Sequence, residues 1–196
     1  KRQEVLAPIA EYPEIQFSLK MRLGWENASE CMVLVELLNT LRLSRIALHA
    51  RTGKQQYKGH PDLEAFQGFY ELCQHPLYYN GDIESLSDIR QILTRFPLLK
   101  GVFIGRGLLS SPLLAKEFKG NETFLPEQRM SIYFAFHEEL FSAYSQVLQG
   151  ETQLLVKMKT LWEYFLPETD RKLLKRIKKS TRLQQYTESV KAIFTS

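Results

Sequence analysis

Apolar and polar residues alternate with a period of two over residues 15–23, and short β-prone stretches recur at 45–49, 77–80 and 101–105. Between them the period lengthens to that of a helix. Residues 28–43 read as a helix with Asn27 or Ser29 as cap, 61–74 as one opened by Pro61, and 85–96 as one capped by Ser85. Four strand–helix units in a row predict an α/β fold with a parallel sheet. Each strand closes on a polar or glycine-rich tip: Lys20-Met21-Arg22-Leu23-Gly24, His49-Ala50-Arg51-Thr52, Asn80-Gly81-Asp82-Ile83 and Ile104-Gly105-Arg106-Gly107. Successive tips lie about 25 to 30 residues apart, the beat of a (β/α) TIM barrel, whose ligands sit at the carboxyl ends of its strands. A whole barrel needs roughly 250 residues, so the pattern reads as the second half of one, about four βα units long. The chain begins at Lys1, in a segment that reads as a short helix disturbed by Pro8 and closed near Pro13, and the expectation is therefore a piece of a longer protein.

Beyond residue 118 the texture changes. The breaker-rich run 119–126 is the expected joint between a barrel domain at 1–118 and a small all-α bundle at 119–196. Pro126 opens a helix expected to run to Gly150, and three shorter helices are expected near 151–165, 168–180 and 183–194.

Composition narrows the class of protein. With 44% hydrophobic residues and a mean hydropathy of -0.27, the chain reads as an ordinary soluble globular protein without a membrane span. Two cysteines, Cys31 and Cys73, without metal-like spacing or a leader ahead of them, point to a reduced, cytoplasmic protein. The net charge of +4 is mild, but the excess is local. Arg171, Lys172, Lys175, Arg176, Lys178, Lys179 and Arg182 follow one another without an acid between them. On a helical wheel they share an arc of roughly 160°, opposite Leu173, Leu174 and Ile177. Such a face is a solvated surface, a membrane-surface contact or a phosphate-binding face for nucleic acid.

The strand tips carry their own chemistry. Lys20 and Arg22 point to one side of their strand, and His49 with Arg51 repeats the arrangement on the next. A charged pair aimed into a barrel is costly unless an anion meets it. Gly81 and Gly105 allow a ligand to approach the backbone, and Ser110-Ser111-Pro112 suggests a hydroxyl cap and an N1 proline opening a helix, hence an anion hole beside Arg106. Asn80-Gly81-Asp82 and Gly105-Arg106 together resemble the phosphate grip after the last two strands of many barrels.

The ordered runs KMRLG, HARTGKQQYKG, YYNGDI and VFIGRGLLSSP, followed by a helical tail with Lys159, Trp162 and Tyr164, resemble the carboxyl-terminal part of the bacterial tRNA-dihydrouridine synthases over nearly the whole chain. The resemblance implies FMN-dependent, NADPH-driven reduction of uridine in tRNA, on a barrel with an appended helical tRNA-binding domain. It implies that Lys20 and His49 touch the flavin ring and its surroundings, that Asn80, Gly81 and Asp82 hold the ribityl and phosphate segment, and that Gly105 and Arg106 clamp the phosphate. Arg22 and Arg51 would meet the substrate nucleotide, with Lys54 and Lys58 close to it, while the basic face at 171–182 anchors tRNA.

The family's catalytic cysteine belongs to an earlier strand loop. No catalytic residue is therefore expected within this chain, Cys31 and Cys73 read as packing residues, and the chain alone is expected to be inactive. Two open strand edges would seek the missing half or a second copy. Other readings of the same features are a different FMN or sugar-phosphate barrel enzyme, and a non-catalytic RNA-binding piece.

Overall fold

The structure is a computed structural model that describes residues 11, 12 and 14–195. The opening helix expected ahead of Pro13 lies outside the described residues. Two compact units divide the chain at Gly105/Arg106.

The first unit carries a four-stranded parallel sheet in the order β1-β2-β3-β4, made of β1 (Phe17–Gly24), β2 (Leu43–Thr52), β3 (Leu77–Asn80) and β4 (Gly101–Phe103). Helices α1 (Glu30–Asn39), α2 (Leu63–Leu72) and α3 (Leu86–Arg95) alternate with the strands. The α/β reading and its strand order therefore stand, with several boundaries moved. Pro61 does not open α2: the helix runs Leu63–Leu72, because Asp62 takes the N-cap by accepting from Ala65 N–H. Helix α1 stops at Asn39, four residues short of the expected Leu43, because Leu43 already pairs with Phe17 as the start of β2. Strand β2 runs on to Thr52, so Arg51 lies within the strand.

One sheet face is a continuous apolar layer. Leu23, Ile46, Leu48, Ala50, Leu77 and Tyr79 are all at most 4% exposed. Helices cover this layer with residues one turn apart: Cys31, Val35 and Leu38 on α1, Phe66 and Phe69 on α2, Ile89 and Ile92 on α3. Phe66 packs edge-on against both Tyr79 and Phe96, with ring centroids 5.0 Å apart in each case. Local signals agree with the tertiary demand: Asp62 caps α2 by accepting from Ala65 N–H at 2.9 Å, and Ser85 and Asp88 form a reciprocal capping box on α3.

The second unit is helical. Its elements are α4 (Arg106–Ser110), α5 (Leu114–Gly120), α6 (Pro126–Val147), α7 (Glu151–Leu161), α8 (Arg171–Lys179) and α9 (Leu183–Phe194). The dividing line thus falls ahead of the breaker-rich run at 119–126. Residues before that run are tied to the helices after it: Ser111 Oγ and Tyr133 Oη hydrogen-bond at 2.7 Å, Arg129 pairs with the buried Glu117, and Leu113 joins the helical core. The expected hydroxyl cap at Ser110-Ser111-Pro112 is corrected here. Helix α5 begins at Leu114, two residues beyond Pro112, with Leu113 as N-cap and no side-chain cap bond; Ser110 Oγ donates back to Arg106 O at 3.2 Å, and Ser111 is occupied by Tyr133.

A buried polar cluster fixes three helical segments. Trp162 Nε1 donates to Tyr186 Oη at 2.9 Å, which leaves the Tyr186 proton for His137 Nε2 at 2.7 Å and the His137 Nδ1 proton for Glu138 at 3.1 Å. Burial lowers the His137 pKa against the pull of Glu138 and holds the imidazole neutral. Every member is thereby satisfied, as a polar group at this depth requires.

Candidate active site at the strand tips

Register decides which tip residues share a face. Arg22 stands opposite His49, which stands opposite Asn80, which stands opposite Phe103; Lys20, Ala47, Tyr78 and Gly101 form the row below. Paired residues in adjacent strands project to the same side, so Lys20, Arg22, His49 and Asn80 converge on the face away from the helices. A register irregularity between Arg22 and Gly24 follows at once, the kind of kink that redirects side chains at the rim of a sheet.

His49 lies in a markedly basic setting. It is 6% exposed. Burial, then the charges of Arg22, Lys20 and Arg51, pull its pKa down to about 4, with Asp82 opposing them. The imidazole is neutral at pH 7, and three cations surround it on an otherwise polar face. Because the folded value lies below the usual 6.5, the unfolded chain takes up a proton between pH 6.5 and 4 that the folded chain refuses. Stability of the first unit should therefore be constant above pH 6.5 and fall by up to about 3 kcal/mol as pH drops to 4. Urea midpoints at pH 7.5 and 5.0 should show the fall, and His49→Gln should flatten it; parallel pH slopes for the two proteins would contradict the assignment.

Arg51 and Asp82 are brought together rather than presented separately. The guanidinium is 1% exposed. Its Nη1 donates to Asp82 Oδ1 at 2.7 Å, Nη2 pairs with Asp82 Oδ2, and Nη2 also donates to Gly59 O at 2.6 Å. Its Nε is buried without a hydrogen-bond partner.

Arg22 is likewise engaged, donating to Thr52 O at 2.7 Å and to Gln56 O at 3.1 Å, and lying 5.8 Å from the Tyr57 ring centroid. The 52–59 loop is fastened to the β1 tip by Gly53 N–H to Gly24 O at 2.7 Å and Lys54 N–H to Trp25 O at 2.9 Å. Lys54 pairs with Glu26, and Lys58 stands exposed.

Asn80 Nδ2 donates to Phe103 O at 2.9 Å, joining β3 to β4. Gly81, at φ +151°, admits no side chain: a Cβ would lie 2.8 Å from Tyr79 Oη. Gly105 is different, because a Cβ there would meet nothing within 4 Å. Arg106 follows it at the start of α4.

Sequence reasoning passed over two contributors. Glu30 accepts from the Trp25, Glu26 and Asn27 amides at 2.9, 3.0 and 2.7 Å and so shapes the turn after β1, and these bonds lower its pKa. Tyr57 sets its ring 6.4 Å from that of His49 while remaining 61% exposed. An aromatic residue between Lys54 and Lys58 in a loop after a basic strand tip was the available signal for the second.

In the helical unit, Asp170 caps α8 by accepting from Lys172 and Leu173 N–H at 2.8 and 3.2 Å. Ile177 is fully buried, whereas Arg171, Lys172, Lys175, Arg176, Lys178 and Lys179 are exposed. Lys172, Lys175, Arg176 and Lys179 line one groove of about 450 Å3, with Gln185 and Glu188 also on its walls. Arg182 stands outside that helix, at the N-cap of α9, so its direction is not set by the wheel.

No group of three or more potential metal-ligating side chains occurs among the described residues. Among them, too, no helix is long and apolar enough to cross a membrane.

A four-stranded parallel βα sheet with basic residues at its tips, followed in the chain by a helical unit, defines an α/β protein. The chain belongs to the dihydrouridine synthase (Dus) family, whose model matches residues 4–195, and the fold of that family is a TIM barrel.

Relatives agree. The chain is 36% identical over 105 residues to a protein of Aquifex aeolicus (strain VF5) named "Probable tRNA-dihydrouridine synthase", covering 54% of this chain and 33% of that protein. It is 35% identical over 100 residues to one of the same name from Rhizobium leguminosarum bv. phaseoli, covering 50% and 31%. With tRNA-dihydrouridine synthase B of Vibrio vulnificus (strain CMCP6), 25% of 129 residues are identical, covering 64% and 40%. The chain thus spans a third to two-fifths of the length of these relatives.

Proposed function

We propose that this chain is the second half of an FMN-binding TIM barrel together with a helical tRNA-binding domain, in an enzyme that uses NADPH to reduce uridine in tRNA to 5,6-dihydrouridine in the cytoplasm. The observation that carries this is the cation-rich, buried imidazole at the strand tips. Lys20 and Arg22 leave positive charge beside neutral His49, with Arg51 already paired to Asp82, and that charge fits an anionic ligand; the buried Arg51 Nε is a donor that needs an acceptor. FMN supplies hydride chemistry when bound, and its reduced form is an anion.

The roles of the residues follow from their placement. Lys20 and His49 face the flavin ring, and fixed positive charge there stabilises negative charge as it accumulates. Asn80, Gly81 and Asp82 form the loop along the ribityl and phosphate arm, with Gly105 and Arg106 at the phosphate. Arg22 reaches the nucleotide side through the loop it holds, next to Lys54 and Lys58. Of the Arg51 donors, Nε is the one left to meet a ligand.

His49 is neutral at pH 7 and therefore offers a hydrogen bond rather than an acidic proton. Cys31 is buried on α1 with its thiol donating to Ala28 O at 3.1 Å, and Cys73 follows α2. Neither thiol stands among the strand tips, so the proton for uridine C5 comes from a residue outside this set and the chain alone does not turn over. The β1 and β4 edges take further barrel strands or a second copy; a monomer by light scattering at high concentration would dismiss the second copy.

Separate titrations with FMN and tRNA test the reading. Binding of both is expected; flavin binding without tRNA affinity favours another FMN or sugar-phosphate barrel enzyme, and the converse favours a non-catalytic RNA-binding piece. Gly105→Val sharpens the test. Nothing in the chain occupies the space beside Gly105, so the thermal midpoint should stay unchanged while FMN affinity drops at least about tenfold, the cost of blocking one phosphate contact. Unaltered flavin affinity would remove Gly105 from the site.

A further inference from the structure

We propose that Arg51 is a positioning residue that couples the loop after β3 to the loop after β2, so that ordering of the first by a ligand is transmitted to the second. This rests on the reading above, in which residues 80–82 hold the cofactor and residues 52–59 lie beside the nucleotide.

Two loops with unusual backbone meet at one guanidinium. Asp82 has φ +34° and follows Gly81 at +151°, while Gly59 has φ +62°. Neither turn is held in that shape by regular secondary structure. Arg51 grips both: its fork takes the two Asp82 carboxylate oxygens, and Nη2 also donates to Gly59 O. The side chain is 1% exposed, with an unpartnered Nε, so its terminal nitrogens hold protein rather than ligand. A planar fork is what the geometry demands, since the three bonds leave two nitrogens in fixed directions. Lysine keeps the charge but, as a single flexible ammonium, cannot reproduce that fork.

The consequence is mechanical. A ligand that settles the 80–82 loop fixes the Asp82 carboxylate, which fixes the Arg51 plane, which fixes Gly59 O. Arg22 holds the other end of the same loop at Thr52 and Gln56. Displacement of Asp82 would therefore loosen residues 52–59, which lie 23 to 30 positions earlier in the chain.

Hydrogen exchange on the 196-residue chain tests this, with wild type, Arg51→Lys and Asp82→Asn compared, each with and without FMN as probe. In Arg51→Lys, amides of 53–60 and 81–83 should exchange about tenfold faster, the factor one charge-assisted hydrogen bond provides, while the α2 core around Phe66 keeps its rate. FMN should slow 53–60 in wild type but only 81–83 in Arg51→Lys, a difference that a purely structural role would not produce.

Equal FMN protection of 53–60 in both proteins overturns the coupling. If FMN protects neither loop in wild type, the cofactor reading fails, and unchanged exchange of 53–60 in the unliganded variants is then the result that overturns the latch. Should Arg51→Lys exchange faster throughout, Asp82→Asn, which keeps volume and one carbonyl acceptor, gives the same comparison.

Discussion

Changing Lys175, Arg176 and Lys179 together to glutamate should weaken tRNA binding by about a hundredfold or more at low salt, and should flatten the dependence of log affinity on log salt by about 2 to 3. All three line the groove beside α9, and all three are exposed while Ile177 anchors the opposite side of α8 in the core. Each lysine or arginine that neutralises a phosphate releases a counterion, so removing three contacts must appear in the slope as well as in the intercept. Lys191→Glu provides the control, because Lys191 is an exposed lysine in the last turn of α9 that lies outside both the groove and the 171–182 face. Reversing charges near the helix C-terminus also costs about 1 kcal/mol of dipole stabilisation, so circular dichroism should confirm that the unit is folded. Nitrocellulose filter binding over a salt series is sufficient. A triple variant with the wild-type slope would show that this face does not meet the nucleic acid.

Phe66→Ala should destabilise the first unit by about 4 kcal/mol. Phe66 is fully buried and sits edge-on to Tyr79 and Phe96, linking α2, β3 and the end of α3. Truncation removes that burial and leaves a cavity beneath the strand that carries Asn80. The two tryptophans fall one in each unit, Trp25 in the first and Trp162 in the second. Trp25 is 65% exposed and Trp162 only 2%, so their emission maxima and quencher access distinguish them. A urea titration should show the Trp25 transition moving to lower denaturant while the Trp162 transition holds. Val33→Ala on α1, at a position 66% exposed, should change stability by less than about 0.5 kcal/mol. Equal effects of the two substitutions would refute the assignment of Phe66 to the core.

The strand tips were legible because period-two alternation fixes which residues share a face whatever the partner strand. Lys20, Arg22, His49 and Asn80 follow that rule, and the register bears it out. The apolar helix faces were legible for the matching reason, a 3.6-residue period, which on α3 is opened by the Ser85 cap. Boundaries were less so. Leu41 to Ser44 suits a helix by local preference, and only pairing of Leu43 with Phe17, twenty-six residues earlier, makes it strand. Ser110-Ser111-Pro112 carries a helix-opening signature that the core overrides by engaging Ser111 with Tyr133.

By itself the sequence determined the order of elements, the composition of each strand tip and the basic face of α8, since all three depend on periodicity along a single segment. Only the tertiary structure decided what the charges do. Arg51 and Arg22 look alike in a linear reading, yet one is buried against Asp82, thirty-one positions away, and the other spans the 52–56 backbone. His49 is likewise an ordinary histidine until burial and the neighbouring cations keep it neutral down to about pH 4. The physical reason is that ion pairing and desolvation are set by distances between segments far apart in the chain, which local spacing does not encode.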